Sequence, residues 1–275
     1  MPQLPAAETV KNRLRQNIVG KTIARVDVRD ARLRWPVDTP KLQALLPGRA
    51  ITVVDRKAKY LIVQLEGDFT LIMHLGMSGR ILLYSDAPEL HKHDHVVFGF
   101  SDGSEMRFRD PRRFGMVDIC AVDELPQHKL FAQLGVEPLS PDLTGEVLKK
   151  RAGAARKPIK NLLMDAHFIV GVGNIYANEA LYQASIHPLT AADQLVERDW
   201  QHLLEKVQAV LRQAIEMGGT TLNDFVNSSG DPGYFQQELG VYDREGEPCL
   251  RCGATIERIV LVGRSTYFCP KCQAL

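Results

Sequence analysis

The sequence predicts an α+β chain of two domains: an N-terminal β-sandwich led by one helix, then a helical domain that ends in a cysteine-bounded hairpin. Three observations predict it. Residues 21–122 hold a series of short apolar or alternating runs separated by turn residues. From about residue 125 the apolar spacing changes to three and four. Four cysteines in two C-x-x-C pairs close the chain. At 275 residues the chain also exceeds the usual size of a single core, which favours two domains.

The elements follow in order. Val10, Leu14 and Ile18 recur at four-residue spacing and predict an amphipathic helix over 8–19, stopped by Gly20. In ARVDVRD, Ala24, Val26 and Val28 alternate with Arg25, Asp27 and Arg29, which predicts a strand with the apolar set inward. Further strands are expected at ITVVD, YLIVQL, FTLIMHL, RILLY, HVVFGF, EMRFR and MVDICAV. Turn signals such as Glu66-Gly67-Asp68 and Ser101-Asp102-Gly103-Ser104 separate them. So many short strands argue for a β-sandwich or a flattened barrel. Helices are expected near 142–152, 157–165, 174–184 and 197–217, the last carrying Leu203, Leu204, Val207, Val210, Leu211 and Ile215 on one face. About two dozen residues rich in Gly, Ser, Asn and Asp then precede the cysteine segment, and an aperiodic stretch of that length signals function or mobility.

Composition sets limits on function. With 45% hydrophobic and 24% charged residues the chain is not mostly disordered, and no run approaches the 18 apolar residues of a membrane helix. The start MPQLPAAETVKNRLRQ has no apolar signal core, so the expectation is a cytosolic protein. The net charge of +1 names no class of partner. Arg107, Arg109, Arg112 and Arg113 cluster against Glu105 and Asp110, although a patch this small is more often a solvated face than a nucleic-acid site.

The cysteines are more specific. Cys249 and Cys252, then Cys269 and Cys272, have the spacing of a zinc ribbon, in which each pair offers two thiolates to one tetrahedral ion and the intervening segment forms a hairpin. Four protein thiolates leave no open coordination position, so one structural Zn2+ is expected rather than a catalytic one. Two disulfides or a redox pair are the other readings; the missing secretion signal weakens the first, and a redox pair explains half the pattern. Cys120, inside MVDICAV, reads as a buried core thiol.

Nine collinear segments carry a resemblance: MPQLPAAETV, AKYL at 58–61, HLGMSGR at 74–80, KHDH at 92–95, DPRRFG at 110–115, VGVGNIYANEAL at 170–181, GGTTL at 218–222, PGYFQQELGVYDREGEPC at 232–249, and the zinc ribbon. Together they span nearly the whole chain and are similar to the formamidopyrimidine-DNA glycosylase family, bacterial base-excision-repair enzymes that remove 8-oxoguanine and ring-opened purines. The resemblance implies a catalytic β-sandwich domain over 1–125 and a helix-two-turns-helix domain over 126–240 with a lesion-recognition loop at 218–238. A zinc-finger hairpin over 241–275 completes it. The implied partner is damaged double-stranded DNA, bound by a monomer in the cleft between the domains.

The resemblance also implies roles. Pro2, once the initiator methionine is removed, is the nucleophile that forms a Schiff base with the sugar C1′ and leads to strand cleavage by β,δ-elimination. The chemistry is sound: an α-amino group is about a tenth or more unprotonated at neutral pH, against about one part in 2,500 for an ordinary lysine. At position 3 this sequence departs from the family, which carries glutamate there as acid and base; here the residue is Gln3. A carboxamide moves no proton at neutral pH, and loss of a positioned acid costs about 10²–10⁴ in rate. Ala6 replaces a second family glutamate, while Glu8 is kept and is the acid that would have to substitute.

Lys59 matches a hairpin lysine that contacts phosphate and assists elimination. Met77, Arg112 and Phe114 match the residues that fill the gap left by a flipped-out nucleotide, although on apolar pattern alone Met77 and Phe114 read as core. His74 and His93 look like phosphate contacts, as does Tyr242. Asn174 opens a helix after Gly171 and Gly173, where its side chain is expected to cap the helix and reach DNA. Arg264 matches the arginine that clamps phosphate and is linked to the second elimination. The family lysine before Ile159-Lys160 appears as Ala155, beside Arg156, and its contact does not carry over.

Two alternatives stay open at this point. One is the sister endonuclease VIII group, which prefers oxidised pyrimidines; Leu4 and Met77 in its loop favour the purine-specific branch. The other is a lesion-binding protein without catalysis, supported by Gln3 and Ala6. A generic zinc-ribbon module leaves the N-terminal motif unexplained.

Overall fold

The computed structural model describes residues 4–218 and 238–275. The chain divides into two compact units, one holding residues 4–132 and the other Gln133–Glu216 together with 238–275. No described helix is long and apolar enough to cross a membrane.

The first unit opens with α1 (Leu4–Ile18), followed by β1 (Ile23–Val28), α2 (Thr39–Leu45), β2 (Ile51–Lys57), β3 (Tyr60–Leu65), β4 (Phe69–His74), β5 (Arg80–Tyr84), β6 (Asp94–Phe100), β7 (Glu105–Arg109) and β8 (Met116–Ala121). The strands form two four-stranded antiparallel sheets, ordered β1-β6-β7-β5 and β2-β3-β4-β8. Their inner faces share one core, with Val26, Phe98 and Phe108 from the first sheet and Val54, Val63, Leu71 and Ile119 from the second. Leu14 and Ile18 of α1 join that core, so the expected β-sandwich with a leading helix is what the chain forms. Cys120 is buried, and burial pushes its thiol up to about 11, the state of an inert core residue.

Three local expectations change. The first helix starts at Leu4 rather than 8, because Pro5 sits in the first turn, where a missing N–H breaks no helical bond. In β1 the strict alternation fails: the register shifts between Ile23 and Arg25, so Ile23 and Val26 point inward and Ala24 is exposed. The short α2 was not anticipated; its signal is Asp38-Thr39-Pro40, in which the Asp38 carboxylate accepts from the Lys41 N–H at 3.1 Å and Pro40 occupies the first turn.

The second unit contains α3 (Gly145–Ala152), α4 (Ile159–Leu163), α5 (Asn174–Gln183), α6 (Glu197–Glu216) and the hairpin β9 (Glu257–Leu261) and β10 (Arg264–Phe268). The buried stripe of α6 is Trp200, Leu203, Leu204, Val207, Val210, Leu211 and Ala214, close to the expected face. The hairpin shares this unit with the helices. Its small core joins Tyr182 of α5 to Val241, Ile256 and Tyr267.

Candidate nucleic-acid interface and metal centre

In the first unit, the two-residue turn between β2 and β3 is Ala58-Lys59, with Ala58 in the left-handed region at φ 56°. Arg56 braces that turn by donating to the Ala58 carbonyl at 2.6 Å while its Nε donates to the Glu8 carboxylate of α1 at 2.7 Å. Lys11 also pairs with Glu8. Burial opposes ionisation of Glu8, yet these two cations outweigh it and hold the carboxyl below its ordinary range. Glu8 is therefore an ionised brace for the Lys59 hairpin and holds no proton to give at neutral pH.

The turn adjoins His74, because Tyr60 pairs with His74 across β3 and β4. The imidazole is buried, packs tilted against the Tyr60 ring with centroids 4.9 Å apart, and its Nδ1 accepts from the Gly76 N–H at 3.0 Å. Burial, with Lys59 and Arg34 nearby, lowers its pKa to about 4. The ring is thus neutral at pH 7, and the bond at Nδ1 leaves the proton on Nε2 as a donor.

After β4, residues 75–79 form a loop that lies against the loop 110–115. Backbone meets backbone: Gly76 has φ 64°, and a Cβ there would sit 2.3 Å from the Phe114 carbonyl carbon. Asp110, fully buried, binds the two loops together. It accepts from Ser78 Oγ at 2.6 Å, from the Gly115 N–H at 2.7 Å and from the Arg112 N–H at 3.2 Å. The His95 ring bonds the Asp110 backbone carbonyl at 2.8 Å, and the Asp110 N–H donates to the carbonyl of His93, whose half-buried side chain lies beside His91. The result is a rigid platform that presents Met77 half-buried and Arg112 and Phe114 outward. Phe114 is 45% exposed and the Arg112 guanidinium lies 5.2 Å over its ring. The core reading of Phe114 from apolar pattern is corrected here: the loop leaves sandwich register before it reaches this residue.

The arginine cluster resolves into two kinds. Arg107 is buried between Glu105 and Asp94, Arg109 pairs with Asp94, and Arg113 pairs with Asp30. These are internal ion pairs of the sheet and its loop; Arg112 alone of the four is exposed on the platform.

In the second unit, α5 opens at Asn174 with Gly173 as its cap residue, so the expected side-chain cap is corrected. Asn174 is the first helical residue, and its amide donates to the Ser265 carbonyl at 3.0 Å. Lys160 of α4, fully buried, donates to the same carbonyl at 3.2 Å and to Thr266 Oγ1 at 2.6 Å. Burial and the nearby Arg264 lower its pKa to about 8. Three elements thus meet at the first residues of β10, and exposed Arg264 stands at that point. Lower down, Asn178 accepts from the Tyr267 N–H at 2.8 Å, and buried Glu179 accepts from the N–H groups of Gly240, Val241 and Tyr242 at 2.8–3.0 Å. Burial pushes the Glu179 carboxyl up against the pull of those bonds. Tyr242 is held there, its ring 5.1 Å from that of Tyr267.

The four sulfurs of Cys249, Cys252, Cys269 and Cys272 lie within 4.8 Å of one another. Zn–S bonds of about 2.3 Å in a tetrahedron put sulfurs ~3.8 Å apart. The Cys249–Cys272 and Cys252–Cys269 separations of 3.9 and 3.5 Å fit one zinc ion. Backbone N–H groups of Arg251 and Cys272 point at Cys249 and Cys269 sulfurs at 3.4 Å, and the Tyr182 hydroxyl lies 3.3 Å from Cys249, the surroundings that thiolates need.

The structure brings together Lys59 with His74, Met77 with Arg112 and Phe114 on adjoining loops, and Asn174 with Arg264. Pro2, Gln3 and most of the expected loop 218–238 lie outside the described residues. Sequence reading missed Asp110, Lys160 and Glu179 as organisers. Their signal was present for two of them: a lone charge inside the apolar runs IKNLL and YANEALY.

Known proteins share the sequence and the fold. Residues 1–117 match the formamidopyrimidine-DNA glycosylase N-terminal domain, residues 134–226 its H2TH domain, and residues 246–275 the zinc finger found in FPG and IleRS. A formamidopyrimidine-DNA glycosylase of Rickettsia massiliae is 45% identical over 273 residues, covering 99% of this chain and 97% of that protein. The crystal structure of Lactococcus lactis Fpg with abasic-site DNA superposes with a TM-score of 0.89 at 33% identity, covering 99% of this chain and all of that one. That of the wild-type Lactococcus lactis protein with DNA containing N7-benzyl-Fapy-dG superposes at 0.90, again at 33% identity and with both chains covered in full.

Proposed function

The chain belongs to the formamidopyrimidine-DNA glycosylase family, and from that premise we propose that it is a base-excision-repair glycosylase and abasic-site lyase for oxidised purines whose excision step is slowed by Gln3. The observation that carries the reading is the Asp110 platform. An aromatic ring and a guanidinium held rigidly outward gain little in water, but they replace the stacking and pairing lost when a nucleotide leaves a duplex.

The Pro2 amine attacks C1′ of the damaged nucleoside, the glycosidic bond breaks, and the base departs with the bonding electrons and needs a proton. Gln3 cannot supply it, and Glu8 is committed as an anion to Arg56. Loss of the base leaves C1′ bonded to both the Pro2 nitrogen and the ring oxygen; the C1′–O4′ bond then breaks, O4′ takes up the proton shed by the Pro2 nitrogen, and the opened sugar is an iminium at C1′. The iminium acidifies the C2′ proton, whose loss expels the 3′ phosphate, and loss of the C4′ proton then expels the 5′ phosphate. Lys59 and the neutral His74 Nε2–H serve as donors to phosphate beside the reacting sugar. Asn174, Tyr242 and Arg264 hold phosphates in the second unit, and His93 adds a contact in the first. One chain carries all of these residues, so a monomer suffices, and its place of work is the bacterial cytoplasm.

Incision of duplexes with one 8-oxoguanine or one abasic site tests this. Gln3→Glu should speed 8-oxoguanine excision by about 10²–10⁴ and change abasic-site cleavage far less. Equal 8-oxoguanine rates for both proteins would refute the assignment of the defect to position 3. A second reading, lesion binding without excision, is favoured by the same pairing of Glu8; it requires that neither substrate be cut while lesion-selective binding persists.

A further inference from the structure

The turn that joins β9 to β10 contains a residue that the proposed chemistry leaves without a task. Leu261 pairs with Arg264, so the loop is Val262-Gly263, with φ of 47° and 69°. Two left-handed residues define a type I′ turn, whose first position suits Asn, Asp or Gly. Valine is a poor occupant, since a β-branched side chain is strained in the left-handed region. Folding returns nothing for it either: Val262 is 84% exposed and its strand neighbour Val260 62% exposed. Backbone preference and water both oppose an apolar side chain at this tip.

The turn is also unusually well supported. The Ser265 carbonyl, one residue beyond Arg264, receives both the Asn174 amide and the Lys160 ammonium. An apolar knob and a guanidinium therefore stand side by side on a braced tip. We infer that Val262 is a DNA-contacting residue, an apolar wedge that packs on the deoxyribose face next to the phosphate held by Arg264. This rests on the assignment of Arg264 to phosphate made above. A strand of DNA alternates anionic phosphate with apolar sugar edges at the spacing of neighbouring residues, which the Val262 and Arg264 pair complements, and apolar side chains are a recurrent means of gripping a deformed duplex.

The test measures affinity for a duplex with a tetrahydrofuran abasic analogue over a range of salt, together with melting temperature and zinc content. Val262→Asn removes the apolar group and suits the left-handed turn. It should raise Kd about three- to tenfold with the salt slope unchanged, since no charge is lost, and with zinc retained and no fall in melting temperature. Val262→Leu should hold Kd within about twofold of the parent, whereas Arg264→Gln should flatten the salt slope by about one. The inference is overturned if Val262→Asn binds within about twofold of the parent, if its loss of affinity comes with a lower melting temperature, or if Val262→Leu loses as much. Failure of the parent itself to bind the abasic duplex would instead overturn the DNA reading, and this inference with it.

Discussion

Single residues in this protein are set by their neighbours more than by their type. His74 is a neutral donor because burial and the nearby cations Lys59 and Arg34 lower its pKa to about 4, from the ordinary 6.5 of an unfolded chain. Between those values the unfolded chain binds a proton that the folded chain refuses. The stability this gives is fully present above about pH 6.5 and is lost as pH falls toward 4. Unfolding in denaturant across that window should therefore show a pH-dependent difference between the parent and His74→Gln, with the parent losing more on acidification. A difference that stays constant across the window would mean that the ring is already protonated in the folded protein. The four zinc ligands were legible from spacing alone, since a ribbon repeats a local pattern. Lys160 was not, because its partners Ser265 and Thr266 lie more than a hundred residues along the chain.

At the scale of elements, every strand expected in residues 21–122 forms, because alternation and β-branched runs are local properties of the chain. What the pattern missed were features decided by pairing or by a cap: the bulge in β1, the start of α1 at Leu4 and the whole of α2. The platform of loops 75–79 and 110–115 is legible only in part. Its glycines and Asp110 appear in the motifs, but the carboxylate's work of joining Ser78, Arg112 and Gly115 exists only in three dimensions. Asp110→Ala leaves those donors without their acceptor and should destabilise the protein by about 3–5 kcal/mol. Asp110→Asn, which keeps one acceptor oxygen, should fall between. Denaturant midpoints measure both, and an unchanged midpoint for Asp110→Ala would show that the loops hold without it.

For the molecule as a whole, the order of parts could be read because each part has its own period: two for the sandwich, three to four for the helices, and the cysteine spacing for the hairpin. The grouping of the hairpin with the helices was expected, but the contacts that fasten it there could not be read, since they need Glu179, Asn178 and Lys160 to reach across to residues 240–242 and 265–267. The catalytic claim sits on Pro2, and borohydride trapping tests it most directly. The protein, its N-terminus verified by mass as Pro2, is incubated with duplexes carrying one abasic site or one 8-oxoguanine. The expected result is a covalent protein–DNA adduct at the abasic site, lost when a retained methionine turns the Pro2 nitrogen into an amide, and little adduct at 8-oxoguanine until Gln3→Glu restores the acid. No adduct at the abasic site from a protein with a confirmed Pro2 terminus would contradict the Schiff-base mechanism and leave the chain a binder of lesions.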